Sequence, residues 1–303
     1  MKNQTKGIAL AIIGPCLWGL IGLFVRKLTA AGLSGSEIAF MRCTIAAIGY
    51  ISFLAVKSPS KLRVDAKGLV VCVIYGILGF SCSFLVYTVA VSRIPLAVAT
   101  VLMFMSPIWV ALISKVVFKD ALGKRKLLAI AICILGACLA ANLVGSKSIG
   151  ALDFIGILGA LANGMCVALQ LLIPRYFSDR YHKDTMLAYG FLGAALFLAI
   201  FVDPSSVIAC FKNNNTLEVV INVLSVSIFC TLIASTAVIK SASYIGATTT
   251  SILSALEVVM GSIMGWLVFR EHITALQFVG CAVIAFGVIY AQRGLKNKNK
   301  EAA

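Results

Sequence analysis

Residues 244–268 read YIGATTTSILSALEVVMGSIMGWLV, an apolar stretch in which Glu257 is the only charged side chain. About 20 apolar helical residues are enough to span the hydrocarbon core of a bilayer. We therefore predict a membrane-spanning helix here, with one carboxyl group near its middle. The rest of the chain contains further runs of the same kind.

The overall composition has the same character. Of the 303 residues, 61% are hydrophobic and 12% are charged, and the mean hydropathy is +1.03. An ordinary soluble domain carries roughly 25% charged residues. A soluble globule must cover itself mainly with polar groups, so this composition excludes a soluble enzyme, a disordered chain and a nucleic-acid-binding module.

The apolar runs predict an all-α integral membrane protein with ten transmembrane helices. The first run ends in Arg26-Lys27 without a small-residue cleavage site, which favours a retained helix over a signal peptide. We expect the polar stretch 203–216 to be an outer loop. The predicted spans are 7–27, 36–56, 67–90, 95–117, 125–144, 150–173, 184–202, 217–239, 244–268 and 273–292.

The net charge of +15 comes from 26 Lys and Arg against 11 Asp and Glu. Basic residues of membrane proteins collect in cytoplasmic loops, and here they concentrate on the side of the N-terminus. We predict a multi-pass protein of the plasma (inner) membrane, with both termini cytoplasmic. The ten cysteines lie mostly inside apolar runs without CxxC spacing, so we expect no cofactor and no metal site.

The chain carries a weak internal repeat. Phe118-Lys119-Asp120 recurs as Phe269-Arg270-Glu271, and Gly14 and Gly19 have partners in Gly159 and Gly164. We predict two five-helix repeats, 1–146 and 147–294, followed by a basic cytoplasmic tail, 295–303. Because five is odd, the second repeat is inverted in the membrane, which is the arrangement of alternating-access carriers.

Several motifs in this order resemble the EamA-type branch of the drug/metabolite transporter superfamily, across nearly the whole chain. They are Gly14-Pro15-Cys16-Leu17-Trp18-Gly19, Glu37-Ile38-Ala39-Phe40-Met41-Arg42, Ser106-Pro107-Ile108-Trp109, Leu256-Glu257-Val258-Val259 and Gly265-Trp266-Leu267-Val268-Phe269-Arg270-Glu271. The resemblance implies transport of a small solute, such as an amino acid, another metabolite or a drug. The chain departs from the family pattern at Val258, where proline is usual, and this predicts a straighter ninth helix.

Glu257 is the principal candidate for a functional residue, because an ionisable group at membrane depth is costly. Thr250, Ser254, Glu257 and Gly261 share one helical face, which we expect to line a wet cavity. Glu257 would bind a cationic or amino group or carry a coupling proton. The alternative is a protonated carboxyl group that hydrogen-bonds a neighbouring helix and serves packing alone.

Other polar groups at membrane depth are weaker candidates for the same cavity. Asn163 and Gln170 share a helical face, and Trp18 is the repeat partner of Asn163. Tyr87 and Thr231 are further lining candidates, and interhelical packing is the alternative for all five.

Two features concern movement and gating. Pro107 must interrupt helix 4, either as a hinge or as a static kink. Arg42 and Glu37 lie near the outer end of helix 2, where we expect a snorkelling or gate-bridging arginine rather than a substrate ligand.

We thus predict a secondary active transporter, not an enzyme, that exports or exchanges a small metabolite. An amino acid or related compound is the favoured substrate, and protons are a candidate coupling ion. Membrane lipid is the other expected partner, and the protein would be a monomer or a homodimer without a nucleic-acid ligand. The alternatives are a passive channel or partner-dependent subunit and, more remotely, a membrane-embedded lipid or prenyl transferase.

Overall fold

The computed structural model describes residues 2–141, 153–270 and 272–301. Within these ranges every regular element is a helix, and nine helices are long and apolar enough to cross a membrane. We label the long helices in chain order. They are α1 Asn3–Ala30, α2 Gly35–Lys57, α3 Ala66–Arg93, α4 Val98–Val117, α5 Lys124–Ala140, α6 Phe154–Tyr176, α7 Lys183–Phe201, α8 Thr216–Ile245, α9 Ala247–Phe269 and α10 Ala275–Glu301.

Helix α5 is the long helix outside that set of nine. It has 17 residues, and the last part of the predicted run 125–144 lies outside the described residues. The predicted repeat boundary at 146 and Glu271 lie outside them too. It packs closely on α10, because a Cβ added at Gly280 would lie 2.2 Å from the backbone nitrogen of Ala140. Glycine lets these two helices approach backbone to backbone.

The segment predicted as an outer loop is partly helical, and that prediction is wrong. A short helix spans Pro204–Asn213. The side chain of Asp203 accepts a hydrogen bond from the backbone N–H of Ser205, and Pro204 stands at the first helical position. Both features favour helix initiation, so a polar stretch at the end of α7 forms a surface helix instead of a loop.

Contacts between the connections show that alternate loops lie at opposite ends of the bundle. At the end where α1 begins, which we call the N-terminal face, Lys61 pairs with Asp184. At the opposite face, Lys27 pairs with Glu218. Further contacts join Lys6 to Tyr244 at the N-terminal face and Arg93 to Asp153 at the opposite face.

Asp120, which follows α4, is held against the end of α6. Arg175 donates hydrogen bonds of 2.5 and 2.8 Å to its two carboxylate oxygens, and these bonds keep the pKa of Asp120 below its ordinary value. The Arg175 guanidinium also lies 4.0 Å from the centre of the Phe118 ring. The contact therefore ties the loop after α4 to α6 at the N-terminal face.

Helices α4 and α9 are each interrupted at a similar depth. Tight turns occur at Phe104–Met105 and at Ser254–Ala255, where backbone bonds reach back three residues instead of four. Pro107 stands in the first turn of the second part of α4, where its missing N–H costs no helical bond. The straighter α9 expected from Val258 is not found, because the turn forms without a proline.

Helices α3 and α8 each contain a wider, π-helical turn. These turns span Ile77–Ser81 in α3 and Ile228–Ile233 in α8. A π-turn leaves backbone carbonyl groups available to other partners, and such turns are frequent at functional sites. Helix α1 is also interrupted, at Leu20.

A pair of glycines lets α3 and α7 approach backbone to backbone. A Cβ added at Gly76 would lie 1.9 Å from the carbonyl oxygen of Gly190. No side chain fits between these two backbones, so the pair depends on glycine at this position.

We predict that Gly76→Ala lowers the melting temperature of the detergent-solubilised protein. The added methyl group meets backbone that cannot rotate away, and overpacking of this kind costs about 1–3 kcal/mol. Gly22→Ala is the matched control, because a Cβ at Gly22 meets nothing within 4 Å. Equal melting temperatures for the two variants would contradict the close α3–α7 contact.

Candidate functional site

A small cavity, with room for about one water molecule, lies between α1, α4, α6, α8 and α9. It lies beside the tight turns of α4 and α9. Its walls combine hydroxyl, amide and aromatic groups with aliphatic side chains. The more polar part of the lining consists of Trp18, Ser106, Gln170, Ser235, Ser251 and Ser254.

Glu257 stands one turn beyond the cavity residue Ser254. Helix α1 presses against the backbone at this point, because a Cβ on Gly19 would lie 2.8 Å from the carbonyl oxygen of Glu257. The carboxyl group has no hydrogen-bond partner among the described residues and is only partly buried. The interhelical hydrogen bond considered as its packing role is therefore not made in the described structure.

Arg42 lies inside the bundle, in the same region as Glu257. Its side chain is buried, its Nε donates a 2.9 Å hydrogen bond to the Thr231 hydroxyl, and its guanidinium carbon lies 4.8 Å from the centre of the Phe84 ring. Arg42 and Glu257 interact electrostatically without forming a direct ion pair. The hydrogen bond to Thr231 therefore holds this side chain inside the bundle, where it does not snorkel.

Glu37 has a different role from the one expected. It accepts a 2.7 Å hydrogen bond from the backbone N–H of Ser34, whose hydroxyl in turn caps the start of α2. Its second contact is a 3.2 Å hydrogen bond from the Ser206 hydroxyl of the short surface helix. The expected pair between Arg42 and Glu37 is absent from the described contacts, because the capping box holds Glu37 at the end of the helix.

The two amides of α6 both bond to α3. Gln170 donates a 2.7 Å hydrogen bond to the carbonyl oxygen of Gly79, inside the π-turn, and also lines the cavity. Asn163 is buried and accepts a 2.6 Å hydrogen bond from the Ser83 hydroxyl. Gln170 thus both packs α6 against α3 and lines the cavity, whereas Asn163 only packs the two helices together.

The hydroxyl candidates also separate into two groups. Thr231 lies in the π-turn of α8 and its hydroxyl accepts the hydrogen bond from Arg42, and the Tyr87 side chain shares a hydrogen bond with Thr100 of α4. Thr250 instead lies 3.1 Å from the Ser241 hydroxyl and donates to the Gly246 carbonyl oxygen, away from the cavity lining. The residues of the predicted helical face therefore differ in role, since Thr250 packs against α8 and Ser254 lines the cavity.

One buried acid at the N-terminal face, Asp184, is not among the residues predicted from the sequence. Asp184 is 5% exposed and accepts hydrogen bonds from the Tyr50 hydroxyl at 2.8 Å and from Lys61 at 2.7 Å, while Lys240 lies 3.3 Å away. These partners come from three separate segments, so no spacing along one helix reveals them. The cluster joins α2, α7 and α8 on one side of the cavity.

No group of three or more His, Cys, Asp or Glu side chains that would suit a metal ion occurs in the described residues. What the bundle does contain is a small cavity with serine, glutamine and tryptophan side chains in its walls, and the carboxyl group of Glu257 one helical turn from the lining residue Ser254. A membrane-length helical bundle with such a cavity has the architecture of a solute transporter.

The sequence profile of the EamA-like transporter family matches residues 5–142 and again 154–291. The protein therefore belongs to the EamA-like transporter family. The family places it among membrane transporters, in agreement with the resemblance found in the sequence, and leaves the solute to be found.

Two curated relatives and one solved structure show how far the similarity extends. The pseudopaline exporter CntI of Pseudomonas aeruginosa is 25% identical over 298 residues, covering 96% of this chain and 97% of that protein. The uncharacterized transporter YdfC of Bacillus subtilis is 24% identical over 294 residues, covering 93% and 91%. A crystal structure at 17% identity superposes with a TM-score of 0.76, covering 95% of this chain and 96% of the other, and shows a shared fold.

We predict that Ser254→Leu abolishes transport by filling the cavity, at unchanged levels of protein in the membrane. Ser262→Leu is the control for the same substitution on this helix, because Ser262 is half-buried, lies outside the cavity lining and bonds only to the Val258 carbonyl oxygen. Transport is measured as accumulation of the exported solute in the medium of cells that express each variant. Wild-type export by Ser254→Leu would place the solute path elsewhere.

Proposed function

We propose that this protein is a secondary carrier that works by alternating access, with ten membrane crossings in two inverted repeats, 1–146 and 147–294. The two separate matches to the family profile support this division. Equivalent features in the two halves support it further. They are the tight turns in α4 and α9, the π-turns in α3 and α8, and the left-handed residues Lys119 and Arg270, with φ of 54° and 53°.

The contacts between helices also fit two inverted repeats. Helix α1 packs on α8 and on α9, while α6 packs on α3 and on α4. The pairs α2–α7 and α5–α10 each join equivalent helices. Such pairing gives two packings of similar energy, one open to each side, and Pro107 would serve as a hinge between them.

The observation that carries the proposal is Glu257, a carboxyl group beside a central cavity without a protein partner among the described residues. We assign it to binding an amino group of the solute or to carrying a coupling proton. The solute is a small metabolite, and an amino acid or related compound fits best. One relative carries the name of a pseudopaline exporter, which favours export over uptake.

We place the protein in the plasma membrane with both termini in the cytoplasm. The excess of Lys and Arg near the N-terminal face supports this orientation. The N-terminal face would then be the inner face, with the Asp184 cluster beneath the cavity. Membrane lipid surrounds the protein, which we take to act as a monomer or a homodimer.

We predict that Glu257→Gln abolishes export. Cells that express wild type or the variant at matched membrane levels are compared by untargeted metabolite analysis of the medium. One class of solute should accumulate outside only with wild type, because the amide cannot bind a cation or release a proton. Glu218→Gln, on the opposite face, is the control for the same chemical change.

Equal accumulation with Glu257→Gln would refute the assignment of Glu257 and leave the transporter class intact. No change in the medium with wild type would refute export. A passive channel is distinguished by counterflow in liposomes, since internal solute stimulates uptake through a carrier and does not stimulate uptake through a channel.

A further inference from the structure

The guanidinium of Arg42 is held in one orientation by two contacts. Its Nε donates to the Thr231 hydroxyl at 2.9 Å, and the Phe84 ring lies 4.8 Å from its central carbon. Thr231 belongs to the π-turn of α8, and its hydroxyl also bonds the carbonyl oxygen of Val226. The position of the guanidinium is thus set by α3 and α8 together.

The other side of the Arg42 guanidinium has free hydrogen-bonding capacity. The side chain is only 6% exposed, yet its two terminal nitrogens bond to no residue that the structure describes, and neither is sealed from water. A buried arginine normally satisfies its N–H groups with an anion or with carbonyl groups. Its two parallel N–H groups match the two oxygens of a carboxylate.

Neither Glu257 nor Glu37 fills this position. Glu257 interacts electrostatically with Arg42, but the two do not meet as an ion pair. Glu37, the other acid of the region, is engaged by Ser34 and Ser206. A positive and a negative group therefore lie in one region of the bundle without pairing, each with free hydrogen-bonding capacity among the described residues.

We propose that Arg42 binds the carboxylate of the transported solute while Glu257 binds its ammonium group. The solutes would then be zwitterions, namely amino acids and derivatives that keep both groups. A phosphate dianion fits less well, because it would leave a net negative charge in the closed site, whereas a zwitterion balances both residues. This inference rests on the proposed carrier function and adds Arg42 as the residue that determines specificity.

The test is counterflow with purified full-length protein in liposomes. The liposomes are loaded with a mixture of the standard L-amino acids, and uptake of the same mixture in ¹⁴C-labelled form is followed. The competitors are unlabelled amino acids, offered either as free acids or as their carboxamides. For wild type, the free acids should compete about tenfold or more better than the amides, since a charge-assisted hydrogen bond is lost with each amide.

Variants of Arg42 separate recognition from structure. Arg42→Gln should lose counterflow or lose the preference for acids, and Arg42→Lys should retain part of that preference. Lys27→Gln removes a surface charge and should behave as wild type. If Arg42→Gln transports with an undiminished preference for acids, Arg42 does not bind the carboxylate.

Two results would overturn the inference without any variant. One is equal competition by acids and amides with wild type. The other is Glu257-dependent export of a solute that has no carboxylate, in which case the carrier proposal stands and the Arg42 assignment falls. If wild type moves no solute in either assay, the carrier proposal itself falls, and this inference with it.

Discussion

Backbone polar groups inside a bilayer have no water to bond, and this constraint decides where the chain can leave the α-helix. Irregular backbone at membrane depth is tolerated only where it is buried in protein or lines a wet cavity. The interruptions of this chain satisfy that condition around one central region. They fall at Leu20, 77–81, 104–105, 228–233 and 254–255.

Side chains of the same region bond to carbonyl groups at these interruptions. Gln170 bonds the Gly79 carbonyl oxygen in the α3 turn, and at the α9 turn the Thr250 carbonyl oxygen accepts from both the backbone N–H and the hydroxyl of Ser254. Glycines bring the neighbouring helices against the broken segments. A Cβ on Gly164 would lie 2.9 Å from the Met103 carbonyl oxygen, just as Gly19 presses on α9. The site thus depends on backbone contacts as much as on side chains.

The sequence predicts what depends on one helix at a time. Apolar runs locate the helices, and the position of Glu257 within a run marks it as exceptional. Trp18, Gln170 and Ser254 are among the residues that line the cavity. Contacts between distant segments follow from helix packing, which the spacing of residues along one helix does not reveal. The roles of Arg42 and Asp184, whose partners come from other helices, therefore became visible only in the fold.

Electrostatics connects this packing to the proposed transport cycle. Closing the cavity removes water from both Arg42 and Glu257, and a desolvated charge without a partner is unfavourable. A bound zwitterion would pair each charge separately, so the loaded protein closes around a neutral site. The empty protein must close around two charges that interact without direct contact. Under the zwitterion proposal the loaded form therefore crosses between its two states more readily than the empty form. Such a difference favours exchange of one solute for another over return of the empty carrier.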